Sequence, residues 1–190
     1  MSLEPAIEYI NKIYNNPLPW NDGNNTSNSI IPKLNLNNLK ISNQDNIIKS
    51  IEFFKNKGYS KYVIAGLIGN FKTESEFSEQ NISKIASDPA NNAHNIGIAQ
   101  WQGDRFKELK NKFPNSYNTL ESQLEFVHYE LQNKKFSKGW NYNNIKNKTD
   151  ITEITHEISK YYEGSSFDSK YLQAQQGRIN NAIEIFNKFL

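Results

Sequence analysis

A chain of 190 residues without a single cysteine excludes disulfides, thiolate nucleophiles and cysteine-ligated metals, and is long enough for one domain with a substantial core plus an appendage. Its formal charge of +2 comes from mixed signs with no long basic run, which argues against nucleic-acid binding yet leaves nothing to repel an anionic cell wall. No stretch approaches the ~18 apolar residues of a membrane helix, and the first residues lack the basic-then-apolar order of a signal peptide, so membrane insertion is not expected and no export route is visible.

Residues 4–14 form a short amphipathic pattern, with Ile7, Ile10 and Ile13 along one side. Residues 15–41 are rich in Asn, Ser, Gly and Pro and read as a linker or an extended strap. The composition changes near residue 42, which divides the chain into an N-terminal segment (1–41) and a main domain (42–190). Ser42-Asn43-Gln44-Asp45 offers a cap and an acidic first turn for a helix that runs to Lys57 and stops at Gly58. Ser60 caps the next helix. On it Val63, Ile64, Leu67, Ile68 and Phe71 make one apolar stripe, and Glu74 lies only about 20° from Leu67. Glu76 falls about 180° from Leu67, on the solvent side. Burial of Glu74 without a cationic partner would raise its pKa, as a general acid requires. Gly66 and Gly69 cost helix stability unless a neighbour packs closely against them.

After an irregular loop comes Gly97-Ile98-Ala99-Gln100-Trp101. It combines a flexible start, a side-chain amide and an indole, which suits a ligand-facing strip. An acid on a helix end followed by such a strip fits a polysaccharide cleft. Helices are predicted over 104–112, 119–132, 150–163 and 170–190. In the second of these Leu120, Leu124, Val127 and Leu131 mark a core face. Trp140 and Tyr142 read first as core or loop packing. His94, His128 and His156 are too scattered to suggest a metal triad, and His128 reads as a packing residue. Many helices with one short irregular or β-like segment predict a mostly α, α+β architecture.

Gly69-Asn70, Glu74-Ser75 and Phe77, followed by Gly97 to Trp101, resemble the phage tail-type lysozyme family, kin to goose-type lysozymes and lytic transglycosylases. Arg105, Gln123-Leu124-Glu125-Phe126, Glu130-Leu131, Tyr162-Glu163 and Arg178 extend the resemblance over about residues 43–190. Two departures stand out: Gly164-Ser165 replaces the family's Arg-Pro after Tyr-Glu, and the 78–96 loop has no clear acid beyond Asp88. The resemblance implies a lysozyme-like α+β fold in which the small irregular or β-like segment forms one side of a sugar-binding cleft, and a peptidoglycan muramidase without metal or other cofactor, with Glu74 as the proton donor. Asp88 either positions water or serves as a turn residue before Pro89. The resemblance further implies that Ser75 orients Glu74 and that Gln100 and the backbone around Ile98 bind an N-acetyl group. Gly97, Trp101 and Glu163 join them as substrate-binding candidates. Asn70 either bonds the Glu74 carboxyl or anchors backbone. The expected partner is the peptidoglycan glycan strand, met by a monomer at the cell wall or on a virion, alongside other tail or hydrolase domains. A lytic transglycosylase, or a non-catalytic wall-binding or tail structural module, are the alternatives.

Overall fold

In the computed structural model the described residues are 43–88, 93–165 and 172–190. The helix and linker expected over 4–41 lie outside them. What is described is mostly helical. α1 (Gln44–Asn56), α2 (Lys61–Ser75) and the short α3 (Glu79–Ser83) precede a two-stranded antiparallel hairpin, β1 (Ala86–Asp88) and β2 (Ala93–Asn95). Then follow α4 (Gly103–Lys112), α5 (Leu120–Asn133), α6 (Ile151–Glu157), which continues as a π-helical turn over Ile158–Tyr162, and α7 (Leu172–Phe189). The helix boundaries follow the capping chemistry in the sequence. Ser60, Thr119 and Asp150 each accept a hydrogen bond from the backbone N–H three residues on, at the starts of α2, α5 and α6. Gly58, at φ 81°, ends the turn after α1 in the left-handed region.

α2 is the organising element. The stripe predicted for it is entirely buried, but so are Ala65, Gly66, Gly69, Asn70 and Ser75. An element buried around most of its circumference is a central helix, not an amphipathic surface one. The two glycines make this possible. A Cβ on Gly66 would lie 2.8 Å from Cγ2 of Ile154 in α6, and one on Gly69 would lie 2.7 Å from the Cβ of Ala182 in α7. Both distances are below any ordinary carbon–carbon contact, so α6 and α7 approach α2 to a depth that only glycine permits. Asn70 adds a polar tie at the same place. Its Nδ2 donates to the Gly66 carbonyl at 2.8 Å and to the Thr155 carbonyl of α6 at 3.1 Å.

The C-terminal end of α2 is held from α1 and α3. Asn43 Nδ2 donates to the Glu76 carbonyl at 2.8 Å, Asn46 Nδ2 to the Phe77 carbonyl at 2.9 Å, and Asn81 Nδ2 to the Ser75 carbonyl at 2.9 Å. These amides satisfy carbonyls that a helix end and its flanking turn leave open. The last turn of α2, which carries Glu74, is therefore a fixed platform.

Candidate active site

Glu74 projects from that last turn with 22% of its side chain exposed, and Arg178 of α7, itself only 8% exposed, donates Nη2 to its Oε1. This corrects the expectation of a carboxylate buried without a cation. The missing partner comes from 104 positions downstream, beyond the reach of local helical phase. Glu76 is the left-handed cap of α2 and is exposed, so the two acids of the Glu-Ser-Glu motif do occupy different environments. Ser75 does not orient Glu74. Its Oγ donates to the Phe71 carbonyl at 2.9 Å and accepts from the Phe77 N–H at 3.1 Å, closing the helix end. Asn70 does not bond Glu74 either; both its donor bonds go to backbone, and it is fully buried.

The 97–101 strip is a tight loop closed by a bridge between Ile96 and Trp101. Gly97 sits at φ 81°, and a Cβ there would lie 2.6 Å from Oε1 of Gln123. That contact explains the glycine: the carboxamide of Gln123, fully buried on α5, presses onto the loop backbone. Gln123 Oε1 accepts the Ile98 N–H at 3.1 Å, while its Nε2 donates to the Ile82 carbonyl at 2.8 Å and to the Tyr117 carbonyl at 3.1 Å. One amide thus ties the loop to α3 and to the turn before α5. The Ile98 N–H is consequently already engaged, and the Ile98 side chain is buried. Trp101 is 1% exposed; its indole is a core group, not a ligand surface. Gln100 alone in the pentad is not buried. It is held at φ 44°, with its Nε2 donating to the Gly97 carbonyl at 2.8 Å.

Beneath the loop lies a charged hub. Glu130 of α5 is fully buried and accepts from Trp101 Nε1 (3.0 Å), Arg105 Nε and Nη2 (2.8 Å each), the Tyr162 hydroxyl (2.8 Å) and Lys134 Nζ (3.2 Å). Burial by itself would raise its pKa, but the bidentate Arg105, the Tyr162 hydroxyl and Lys134 outweigh burial and hold the carboxyl below its ordinary range. Arg105 Nη1 also donates to the Tyr162 carbonyl at 3.0 Å. The loop, α4, α5 and the π-turn therefore meet at one carboxylate.

The π-turn sets the last member of the site. Glu163 N–H bonds the Ile158 carbonyl at 3.0 Å, five residues back, and Gly164 at φ 69° then ends the helix. This extra residue in the turn accompanies Tyr162 facing Glu130, with the Tyr162 ring 6.3 Å from that of Phe71 on α2. Glu163 Oε1 is buried with no hydrogen-bond partner among the described residues. Its carboxyl is pushed well above the usual range, first by burial and then by the charge of Glu74; Arg105 and Arg178 pull the other way, and Glu130 adds to the rise. A carboxyl held above the usual range is thus found at Glu163, which the sequence offered only as a substrate-binding candidate. A signal for it was present in the sequence: Tyr162-Glu163 followed immediately by Gly164 places an acid on the final turn of an apolar helix.

Asp88 ends β1, paired with Ala93 across the hairpin; its side chain lies outside the described residues. Two shallow depressions, one lined by Gln132 and Tyr142 and the other by Trp140 and Tyr161, include none of Glu74, Gln100 or Glu163. Trp140 is buried, with its indole N–H on Glu157 at 2.9 Å. His128 Nδ1 lies 2.9 Å from the Tyr59 hydroxyl, a packing histidine as expected. No three His, Asp or Glu side chains converge as metal ligands among the described residues. No described helix is long and apolar enough to cross a membrane.

The chain matches the model of a family described as phage tail lysozyme over residues 45–189. A comparison with curated proteins finds no match.

Proposed function

Because the chain belongs to the phage tail lysozyme family, we propose that it is a glycoside hydrolase cutting the bond between N-acetylmuramic acid and N-acetylglucosamine in peptidoglycan, with Glu74 as the acid that protonates the leaving oxygen. The observation that carries this reading is the placement of Glu74: a partly exposed carboxyl at the end of a rigid, otherwise buried helix, gripped by Arg178. Glycoside cleavage needs a proton donor at the leaving oxygen and a water molecule delivered to the anomeric carbon. Glu74 has the exposure to reach substrate. Asp88, at the end of the hairpin, is assigned the water. The bond from anomeric carbon to leaving oxygen breaks, the oxygen takes the proton of Glu74, the hydroxyl of water completes the new reducing end, and the remaining proton of that water passes to the Asp88 carboxylate. In the 97–101 strip direct sugar contact is assigned to Gln100. Ile98, Gly97 and Trp101 shape the loop from inside. The family description supports action at the cell wall as part of a virion.

The test is loss of turbidity in a suspension of purified cell walls, followed by mass spectrometry of the products. Wild-type protein clears the suspension and leaves reducing ends; anhydro ends instead identify a lytic transglycosylase, and binding without clearing identifies a wall-binding module. Glu74→Gln lowers clearing by about 10²–10⁴-fold, the range typical of a lost general acid, whereas Glu76→Gln leaves it unchanged. Equal losses in the two variants reject the assignment.

A further inference from the structure

Three hydrogen bonds run in series from the helix end that carries Glu74 to the one side chain of the 97–101 pentad that is not buried. Asn81 Nδ2 on α3 donates to the Ser75 carbonyl at 2.9 Å, the Gly97 N–H donates to the Asn81 carbonyl at 3.0 Å, and Gln100 Nε2 donates to the Gly97 carbonyl at 2.8 Å. All three lie within the ordinary range of N–H···O bonds. Ser75 is the chain neighbour of Glu74, and Gln100 is the residue assigned the direct sugar contact. Resting on the lysozyme reading, we infer that Asn81 is a positioning residue that sets the place of Gln100 relative to the Glu74 carboxyl, and with it the alignment of the glycosidic oxygen on its proton donor.

α3 has only five residues, too few to hold its place by its own ladder. Its surroundings hold it instead. The chain turns from α2 into α3 through Glu76 and Phe77, both in the left-handed region at φ 53° and 54°, which residues other than glycine keep only where the structure imposes it. Asn46 of α1 donates to the Phe77 carbonyl, and Ser75 Oγ accepts the Phe77 N–H. Ser78 Oγ then accepts the Asn81 N–H at 3.2 Å and starts α3. The next residue, Ile82, is buried, and its carbonyl accepts from Gln123, whose Oε1 takes the Ile98 N–H. Adjacent carbonyls of α3 thus carry adjacent amides of the loop, one directly and one through Gln123. Gln123 fastens the loop to α3; the Asn81 side chain fastens α3 to the helix end that carries the acid. A sugar held by Gln100 therefore meets Glu74 in a register that this series sets. A misplacement of about 1 Å at the reacting atoms costs up to about 10²-fold in rate while binding contacts persist.

Amide hydrogen exchange of the intact chain reads the series without reference to activity. In the wild type the Gly97 amide exchanges slowly. In Asn81→Ala, which keeps the backbone carbonyl but loses the bond to Ser75, it exchanges about 2–10-fold faster, the worth of one hydrogen bond. On soluble glycan of alternating N-acetylglucosamine and N-acetylmuramic acid, Asn81→Ala lowers kcat by about 10-fold with KM unchanged. In a Gln100→Ala background the same substitution lowers kcat no further, because no contact remains to be aligned; a merely structural loss would appear in both backgrounds. Circular dichroism confirms the fold of each variant. Asn81→Asp, of the same shape but without the donor, serves in both measurements if Asn81→Ala misfolds. A Gly97 amide that is unprotected in the wild type, or unchanged in the folded variant, overturns the series. Additive losses in the double variant, or an effect on KM alone, overturn the positioning role. A wild type that protects the Gly97 amide but leaves glycan intact overturns the lysozyme reading, and the positioning role with it, while the hydrogen-bond series stands.

Discussion

Replacing Glu130 by Gln keeps the shape of the hub and removes its charge. Five hydrogen bonds converge on the carboxylate, from Trp101, Arg105 (two), Tyr162 and Lys134. An amide offers one acceptor oxygen where the carboxylate offers two, so one side of the fork meets an N–H instead of an acceptor. Removing one partner of a buried ion pair costs about 3–5 kcal/mol. Arg105 keeps 29% of its side chain exposed, so solvent softens the loss and the lower end, about 3 kcal/mol, applies. For a domain of this size that is a fall of about 6–12 °C in Tm. Differential scanning calorimetry at pH 7 measures it, with Glu125→Gln as the control. Glu125 lies on the same helix and pairs with Lys57 at 2.9 Å, but its side chain is 44% exposed, so its loss is below about 1 kcal/mol. The effect also has a pH signature. Folding lowers the pKa of Glu130 from 4.5, so its contribution is complete above about 4.5 and drains away as the pH falls below that value. The gap between wild type and Glu130→Gln should therefore narrow in acid. A variant that melts within about a degree of the wild type at pH 7, or a gap that widens in acid, refutes the account of the hub.

Two further outcomes follow from the packing and the organisation of the chain. Gly69→Ala forces a methyl group to within 2.7 Å of the Ala182 backbone nitrogen, an overpacking cost of about 1–3 kcal/mol that exceeds the gain in helix propensity; Tm and wall clearing should fall together, and an unchanged Tm would show that α7 yields freely. Deletion of residues 1–40 removes nothing of the family match, which begins at residue 45, and should leave a folded, lytic protein; an insoluble product, or one unfolded by circular dichroism, would show that the N-terminal segment completes the core.

The sequence disclosed what is local. The cap at Ser60, the stop at Gly58 and the apolar phase of α2 are short-range chemistry and lie where the sequence places them; the cap expected at 42–45 does not form, because the Asn43 side chain donates to the Glu76 carbonyl instead. The fates of the pentad residues were not legible, because a sequence of Gly, Ile, Ala, Gln and Trp is equally consistent with a ligand strip and with a loop sewn to the core. Gln123 decides between them by taking the Ile98 N–H, and Glu130 does so by taking the Trp101 indole N–H. Both lie on α5 at the phase of the buried Phe126, three and four residues from it. Polar residues on a buried phase of a helix are the signal that could have revealed the two clamps. The cationic partner of Glu74 was not legible for a related reason: phase reports whether a carboxyl is near the core but not which charge meets it there.

What brings that charge is the glycine in the middle of α2. Tyr62 stacks on Phe186, Gly69 faces Ala182, and Glu74 meets Arg178, so α2 and α7 run antiparallel with their closest approach at Gly69. From that crossing Glu74 lies five residues along α2 and Arg178 four residues back along α7, about 7.5 Å and 6 Å of helical rise on the same side. A wider crossing, as any side chain at position 69 would impose, moves the guanidinium off the carboxylate. The residue that is worst for the helix is thus the one that sets the distance between the acid and its cation. A site whose acid and cation come from two helices depends on that crossing more than on any bond within it.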